Sequence, residues 1–554
     1  MIKKIYPGLL LIVYCLLTSL PVILPYFHPG YFPTHDGEWA VIRLGDMFRS
    51  LRDHQFPVRF SGNLNFGYGY PLFNFTYPAP YYIGVLFHFL KFGFVDTIKI
   101  LFALSVVLSA IGMFLLSARL WGHKMAGFIS AFLYVYFPYR IVDLYARGSI
   151  GESLSFALFP FVLFFLDRIL SGNKTYLYVA LGSLSYALLI LTHNIMAVLF
   201  TPVLIVFIFG RMYFEKSKNF LPPLVFITLS FILSAFFWLP ALVEKNSILL
   251  SRIPIADRSI YFVNLSQLII PRWGYGLPDH PDGFSYQIGL PHIIIVLTVL
   301  GLLLYFWQAR KKVLTKYHFQ LSVLLLIIVV AFVSMMFSVS SLLWQAPLLK
   351  EINYPWTLLG PLCFVISLLA GFLCLQHKFI KYLSVVLCVV AGILILPNAR
   401  PSSYFDKGDS YYLTNDATTT SSRELMPLWV KTQPSLRVEQ KVEVIKGEGS
   451  ISNSFADSRL ITFVVDAKDK ITLRINTIYY PGWTIQANGV AVPIDYTNRL
   501  GVMDITVPVG RHEIIAKFGE TPLRLTADIL SLVGIIIVLY LIIMDRFKIK
   551  FLKS

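Results

Sequence analysis

The chain has 554 residues, 56% of them hydrophobic and only 14% charged, a balance that excludes a soluble protein of this length. The formal charge of +17 comes from Lys and Arg clustered between apolar stretches. That is the pattern of a membrane protein with its basic loops on one side, and it calls for no nucleic-acid partner. Four cysteines (Cys15, Cys363, Cys374 and Cys388) lie in or beside apolar stretches without metal-ligand spacing and read as small core residues.

A bilayer-crossing helix needs roughly 17–25 mostly apolar residues. Stretches at 5–24, 98–116, 125–137, 154–170, 176–191, 195–210, 222–239, 289–307, 319–337, 357–375, 382–396 and 527–544 meet or approach that length, about twelve spans in all. The first follows Lys3-Lys4 without a small-residue cleavage site and is expected to be retained. With this count, one side collects Lys3-Lys4, Arg119 with Lys124, Arg168 with Lys174, Arg211-Lys216-Lys218, Arg310-Lys311-Lys312-Lys316, Lys378-Lys381 and Arg546-Lys548-Lys550-Lys553. The short loops opposite carry chiefly Arg140, Arg147 and Lys350. Both termini are therefore expected in the cytoplasm and the loop after the first span outside it. Residues 81–94 are apolar but too short to cross, and a full crossing there would invert every later loop, so an interfacial or re-entrant helix is expected.

The first outer loop holds Pro33-Thr34-His35-Asp36-Gly37-Glu38-Trp39. After it, Ala40, Val41, Leu44, Met47, Phe48 and Leu51 recur at helical spacing, with Arg43, Asp46, Arg49, Arg52 and Asp53 on the other face. The pattern predicts an amphipathic helix lying along the outer membrane surface. Residues 66–78, rich in Gly and aromatic side chains and including Tyr68 and Tyr70, are too irregular for a helix. Residues 397–520 alternate polar and apolar, as at 460–465 and 471–475, with turn signals Asn488-Gly489 and Val509-Gly510. This predicts an antiparallel β domain of sandwich type, with 418–422 as a short polar linker. The chain thus divides into a membrane domain (1–396, its acidic outer loop at 25–97), an extracytoplasmic β domain (397–523), and a last span with a basic cytoplasmic tail (524–554).

A span-rich chain with an acidic motif in its first outer loop and a surface helix behind it resembles the GT-C superfamily of membrane glycosyltransferases. His35-Asp36-Gly37-Glu38 with the 66–80 loop is similar to the bacterial membrane domain called 6-pyruvoyl-tetrahydropterin synthase-related, a name that implies no pterin activity. Tyr480-Pro481-Gly482-Trp483, Asn488-Gly489, Val509-Gly510-Arg511-His512 and Ala527-Asp528-Ile529-Leu530-Ser531 resemble the YfhO-like family. The GT-C resemblance implies transfer of a sugar from a polyprenyl-phosphate carrier to an extracytoplasmic acceptor, here a cell-envelope polymer. It implies Asp36 as base, with Glu38 and Glu152 as further acidic candidates.

Chemistry gives each candidate a role. A carboxylate beside the membrane can take the acceptor's proton while the phosphate leaves. Arg140 or Arg147 can hold that phosphate, because a guanidinium fork matches its oxygens. His35, the His193-Asn194 turn, Tyr68 and Tyr70 are candidates to line the sugar site. The outer loop with Arg272-Trp273-Gly274-Tyr275-Gly276 and His280-Pro281-Asp282-Gly283 reads either as a cover over the sugar or as a structural loop. Mg or Mn suits carboxylate and phosphate oxygens, although the sequence assigns no metal ligands. The structural readings are Asp36 as a helix cap with Glu38 in its first turn, Glu152 paired with Arg147, and the arginines as interface anchors. No Walker loop, dinucleotide fingerprint, HExxH or nucleophile elbow occurs. A lipid or polysaccharide transporter and a non-catalytic envelope assembly protein remain as alternatives.

Overall fold

The computed structural model describes residues 2–172, 175–216, 219–277, 283–308, 316–421 and 423–551. Each apolar stretch picked out above forms a helix over most of its length, because only a helix satisfies its own backbone polar groups in hydrocarbon. Among the described residues nine helices are long and apolar enough to cross a membrane, or up to eleven when two bent pairs are each taken as one span. The first helix, Ile2–Ile23, is outside that count, its described part being shorter. One bend, of 46°, separates Lys124–Val135 from Pro138–Arg147, where Pro138 cannot donate to the preceding turn. The other, of 69°, lies between Leu221–Leu233 and Ala235–Ser247. The span Pro355–Leu375 is the axis of the bundle, with 94% of its residues buried against 22% for Pro522–Asp545 at the rim. Rim helices expose large apolar chains such as Leu297, Leu304, Leu532 and Ile536, the surface that lipid covers in a multi-pass membrane protein.

The segment at 81–94 forms the short helix Ala79–Phe89, roughly 17 Å long at 1.5 Å per residue and too short to cross. The surface helix runs Gly37–Arg52 with Ala40, Val41, Leu44 and Met47 buried as expected. Its second face differs from expectation: Gly45 packs under Leu413, and Asp46 is buried beside Asn63. The reason lies beyond the helix: Ser61 and Asn63 of the following loop close over Asp46, while Leu413 and Thr419, from the far end of the chain, pack on Gly45 and Arg43. Tyr31 pairs with Phe405 as an isolated bridge, and Asp409 accepts hydrogen bonds from the Phe94 and Val95 amides. Residues 418–421 are correspondingly more than a linker, with Thr419 completely buried.

Eight strands follow: β1 Val442–Lys446, β2 Gly449–Ala456, β3 Leu460–Ala467, β4 Ile471–Ile478, β5 Trp483–Ala487, β6 Val490–Val492, β7 Val502–Val507 and β8 Gly510–Phe518. They form two antiparallel sheets, β1-β4-β7 and β2-β3-β8-β5-β6. Alternate residues such as Ile461, Phe463 and Val465 enter the core. Asn488 and Gly489, both at positive φ, make the two-residue turn between β5 and β6.

Two buried arginines bolt this domain to the bundle. Arg524 meets Glu244 at 2.7 Å, and the same carboxylate accepts from Asn74 at 2.8 Å and Tyr480 at 3.0 Å. Arg59 meets Asp528 at 2.7 Å and Glu520 at 3.3 Å and donates to the Phe236 carbonyl. At the other end of the bundle Asp167 holds Arg119 and, at 2.7 Å, Arg211.

Candidate active site

Pro33-Thr34-His35-Asp36 is pinned by backbone hydrogen bonds before any side chain acts. The His35 amide donates to the Ala146 carbonyl at 3.1 Å and the Asp36 amide to the Arg147 carbonyl at 2.8 Å. The partner is the π-turn Asp143–Arg147, closed by Gly148 at φ +65°. A Cβ on Gly148 would sit 2.2 Å from Thr34 Oγ1, so this approach requires glycine for space as well as handedness.

The surface helix is capped by Thr34, whose Oγ1 accepts from the Gly37 amide at 3.0 Å. Asp36 occupies the N-cap position, yet its carboxylate makes no cap hydrogen bond. This departs from the capping role that the sequence allows. Among the described residues the Asp36 side chain has no hydrogen-bond or ion-pair partner, while its charge is felt by Arg147, Asp143, His35, Tyr77, Tyr81 and Tyr354.

The neighbouring acids are committed. Glu152 is fully buried and accepts from Tyr139 Oη at 2.6 Å and from Arg147. Asp143, which the sequence reading missed, accepts from Ser153 and lies 3.8 Å from Arg147. Arg147 therefore spans from the backbone of Asp36 to the buried carboxylates, its guanidinium 4.8 Å over the Trp356 ring. Arg140 does something else. It donates to the Ser153 carbonyl at 2.9 Å and Ser105 Oγ at 2.8 Å, and lies over Phe156, all inside the bundle. Of the two phosphate candidates, only Arg147 stands beside Asp36.

Glu38 points elsewhere. Two residues along a helix turn a side chain by about 200°, and Glu38 faces Tyr31, Tyr412 and Lys407 instead of Arg147. Burial raises its pKa above the usual carboxylate range, with Lys407 opposing. Seven residues from Asp36, and hence on its face, Arg43 donates to Thr419 Oγ1 at 3.0 Å and to the Thr419 carbonyl, and reaches Tyr81 Oη at 3.5 Å. Tyr70 is buried behind it, hydrogen-bonded to Thr419 at 3.1 Å. Arg43 was legible only as part of a polar helix face, because its partner lies 376 residues away.

Aromatic side chains wall the site. Tyr77 stacks on His193 at 5.0 Å and on Tyr81 at 6.3 Å. His193 Nδ1 accepts from the Met196 amide and caps that helix, while Asn194 is exposed. Burial, helped by the Arg147 charge, holds His193 at a pKa of about 3, so the ring is neutral. His35 Nε2 donates to the Tyr275 carbonyl at 3.0 Å, and burial also lowers its pKa. Phe284 bridges His35 and Trp356. Tyr68 lies apart, against β4, where its carbonyl accepts from the Ile478 amide. His280, Pro281 and Asp282 fall outside the described residues.

Among the described residues no group of three or more His, Cys, Asp or Glu is gathered for a metal ion. Glu152 and Asp143 are taken up by Arg147, Tyr139 and Ser153.

Residues 73–252 match the family model of the 6-pyruvoyl-tetrahydropterin synthase related domain, described as a membrane protein. The match takes in Arg147, Glu152 and His193 and leaves the His35-Asp36-Gly37-Glu38 motif outside it. No curated protein matches the chain. Among solved structures, the chain is similar to the arabinofuranosyltransferase AftD from Mycobacteria at 16% identity and a TM-score of 0.44, covering 72% of this chain and 27% of that one. It is also similar to the Archaeoglobus fulgidus oligosaccharyltransferase in its apo form at 16% identity and a TM-score of 0.43, covering 76% of this chain and 61% of that one. The chain thus spans less than two thirds of either structure.

Proposed function

We propose that this protein is a membrane glycosyltransferase that moves a sugar from a polyprenyl-phosphate carrier to a hydroxyl of a cell-envelope acceptor. The observation that carries the reading is the Asp36 carboxylate. It sits at a helix N-terminus whose capping hydrogen bond goes to Thr34, it has no partner of its own, and Arg147 is beside it. Buried and half-buried carboxylates are normally paired, so an unpaired one among tyrosines and a fixed cation is suited to proton transfer.

In the reaction the acceptor hydroxyl gives its proton to Asp36 as its oxygen bonds to the anomeric carbon. The bond from that carbon to the phosphate oxygen breaks, and the electron pair leaves with the carrier phosphate. Arg147 meets the departing charge, while Glu152 and Tyr139 orient Arg147 without touching substrate. Tyr77 and Tyr354, both half-buried, supply faces for a sugar ring. The positive-inside distribution of charge supports this end of the bundle and the β domain outside the cytoplasm, with both termini within it. The division at 396/397 and 523/524 belongs to the same proposal, with the β domain engaging the acceptor or a partner protein.

The test is Asp36→Asn in cells lacking the native copy, at matched expression, with envelope glycans read by mass spectrometry. Asn keeps the shape and breaks no hydrogen bond, so folding should be unchanged while transfer falls by about 10²–10⁴, the usual worth of a general base. Full glycan with Asp36→Asn would remove the enzyme reading and leave transport or assembly in its place.

A further inference from the structure

A second cavity lies apart from the Asp36 cluster, at the same end of the bundle. It encloses about 290 Å³ between the bend at Pro138, the loop Arg272-Trp273, the start of the span Leu290–Gln308 and the end of the span Lys378–Asn398. Its lining mixes two chemistries. Ile269, Leu290 and Leu394 line it and are also about half exposed on the outside of the bundle, so its mouth meets the hydrocarbon edge. Arg272 and Trp273 are at the polar side, and among the described residues Arg272 is the one charged member of the lining, with no carboxylate beside it there.

Among the described residues two polar atoms here are buried with no hydrogen-bond partner, Trp273 Nε1 and His292 Nδ1. His292 is 1% exposed, and its Nε2 lies 3.1 Å from the Leu133 carbonyl. A carbonyl only accepts, so Nε2 carries the proton and Nδ1 presents a lone pair. The cavity therefore offers an indole donor, a guanidinium and the Nδ1 lone pair, with the Gln287 and Asn398 amides also in its lining, beside apolar walls open to lipid. Buried polar atoms are rarely left unpaired without a partner that comes from elsewhere.

We infer that this cavity holds the headgroup of an anionic membrane lipid: a phosphate ester on Arg272 and Trp273 Nε1, with a headgroup hydroxyl donating to His292 Nδ1 and the chains lying over Leu290 and Leu394. A zwitterionic choline headgroup lacks the hydroxyl donor and brings a cation that no acidic residue of the lining meets. The phosphate chemistry is shared by two sources, a bilayer phosphatidylglycerol, whose glycerol hydroxyl donates to His292, and a polyprenyl phosphate, whose monoanion donates through its own P–OH. The inference stands on this cavity alone and needs no activity at Asp36.

The test uses the full chain, purified in neutral detergent and examined by native mass spectrometry with added phosphatidylglycerol, phosphatidylcholine or undecaprenyl phosphate. Wild type should hold one phosphatidylglycerol or one undecaprenyl phosphate in clear preference to phosphatidylcholine. Preference between the first two tells a bilayer lipid from a carrier lipid. Arg272→Gln should weaken retention roughly tenfold, the worth of one charge-assisted hydrogen bond. Leu394→Trp, which narrows the mouth at a lipid-exposed position without touching charge, should do the same in a protein of unchanged melting temperature. Equal retention of phosphatidylcholine, no retained lipid, or an Arg272→Gln protein that binds like wild type would overturn the inference.

Discussion

Glu152 is the sharpest place to separate positioning from catalysis. Glu152→Ala removes the acceptor of the 2.6 Å Tyr139 hydrogen bond and the nearer carboxylate of Arg147, whose side chain is 12% exposed. Breaking a buried ion pair typically costs about 3–5 kcal/mol. Here Asp143 remains 3.8 Å from Arg147 and recovers part of the loss, so about 2–3 kcal/mol is expected. Glu152→Gln keeps an acceptor for Tyr139 and for Arg147 and should cost about 1–2 kcal/mol. Thermal unfolding of the detergent-solubilised chain measures both. Transfer should fall about tenfold or more with Ala, in line with a misplaced cation, and substantially less with Gln. The shape of the pH profile should be retained in both, as the proposed reaction takes its base from Asp36 and not from Glu152. A Glu152→Gln protein with wild-type stability and no transfer would refute this division of labour and make Glu152 the base.

Two further outcomes follow from the same structure. Arg524→Met leaves Glu244 buried with only Asn74 and Tyr480 and should destabilise the docked β domain by about 3–5 kcal/mol. Adding Glu244→Gln should restore much of the loss, and limited proteolysis between the last span and β8 reads both; an Arg524→Met protein as resistant as wild type would contradict the bolt. Asp46 is 3% exposed, and burial raises its pKa from 3.8 to about 6. The native state therefore holds the proton more tightly, and its stability falls as pH rises from about 4 to 6. Asp46→Asn should remove that slope, raising the melting temperature at pH 7–8 and changing it little at pH 4; a parallel shift at every pH would show that the charge is not the cause.

Periodicity found the surface helix because its apolar face is local, but the burial of Asp46 and Gly45 on the other face was invisible. Leu413 covers Gly45 from the far end of the chain, and Ser61 and Asn63 of the following loop cover Asp46. The motif His35-Asp36-Gly37-Glu38 was legible as an acidic pair, and the helical turn between its two acids, a purely local fact, already separates their directions. Arg140 and Arg147 look alike in sequence. One donates to Ser105 and Ser153 inside the bundle and the other reaches the Asp36 backbone, which depends on how the spans cross.

By itself the sequence determined what depends on nearest neighbours along the chain: which stretches are apolar enough to be helices in lipid, which alternate as strands, and where Asn488-Gly489 turns. The tertiary structure decided which carboxylate stands unpaired beside a fixed cation. Thr34 takes the helix cap, Arg147 is claimed by Glu152 and Asp143, and Arg43 is tied to Thr419 across most of the chain. Pairing of charges and hydrogen bonds is set by distances in space, and those distances join residues whose separation in sequence carries no signal.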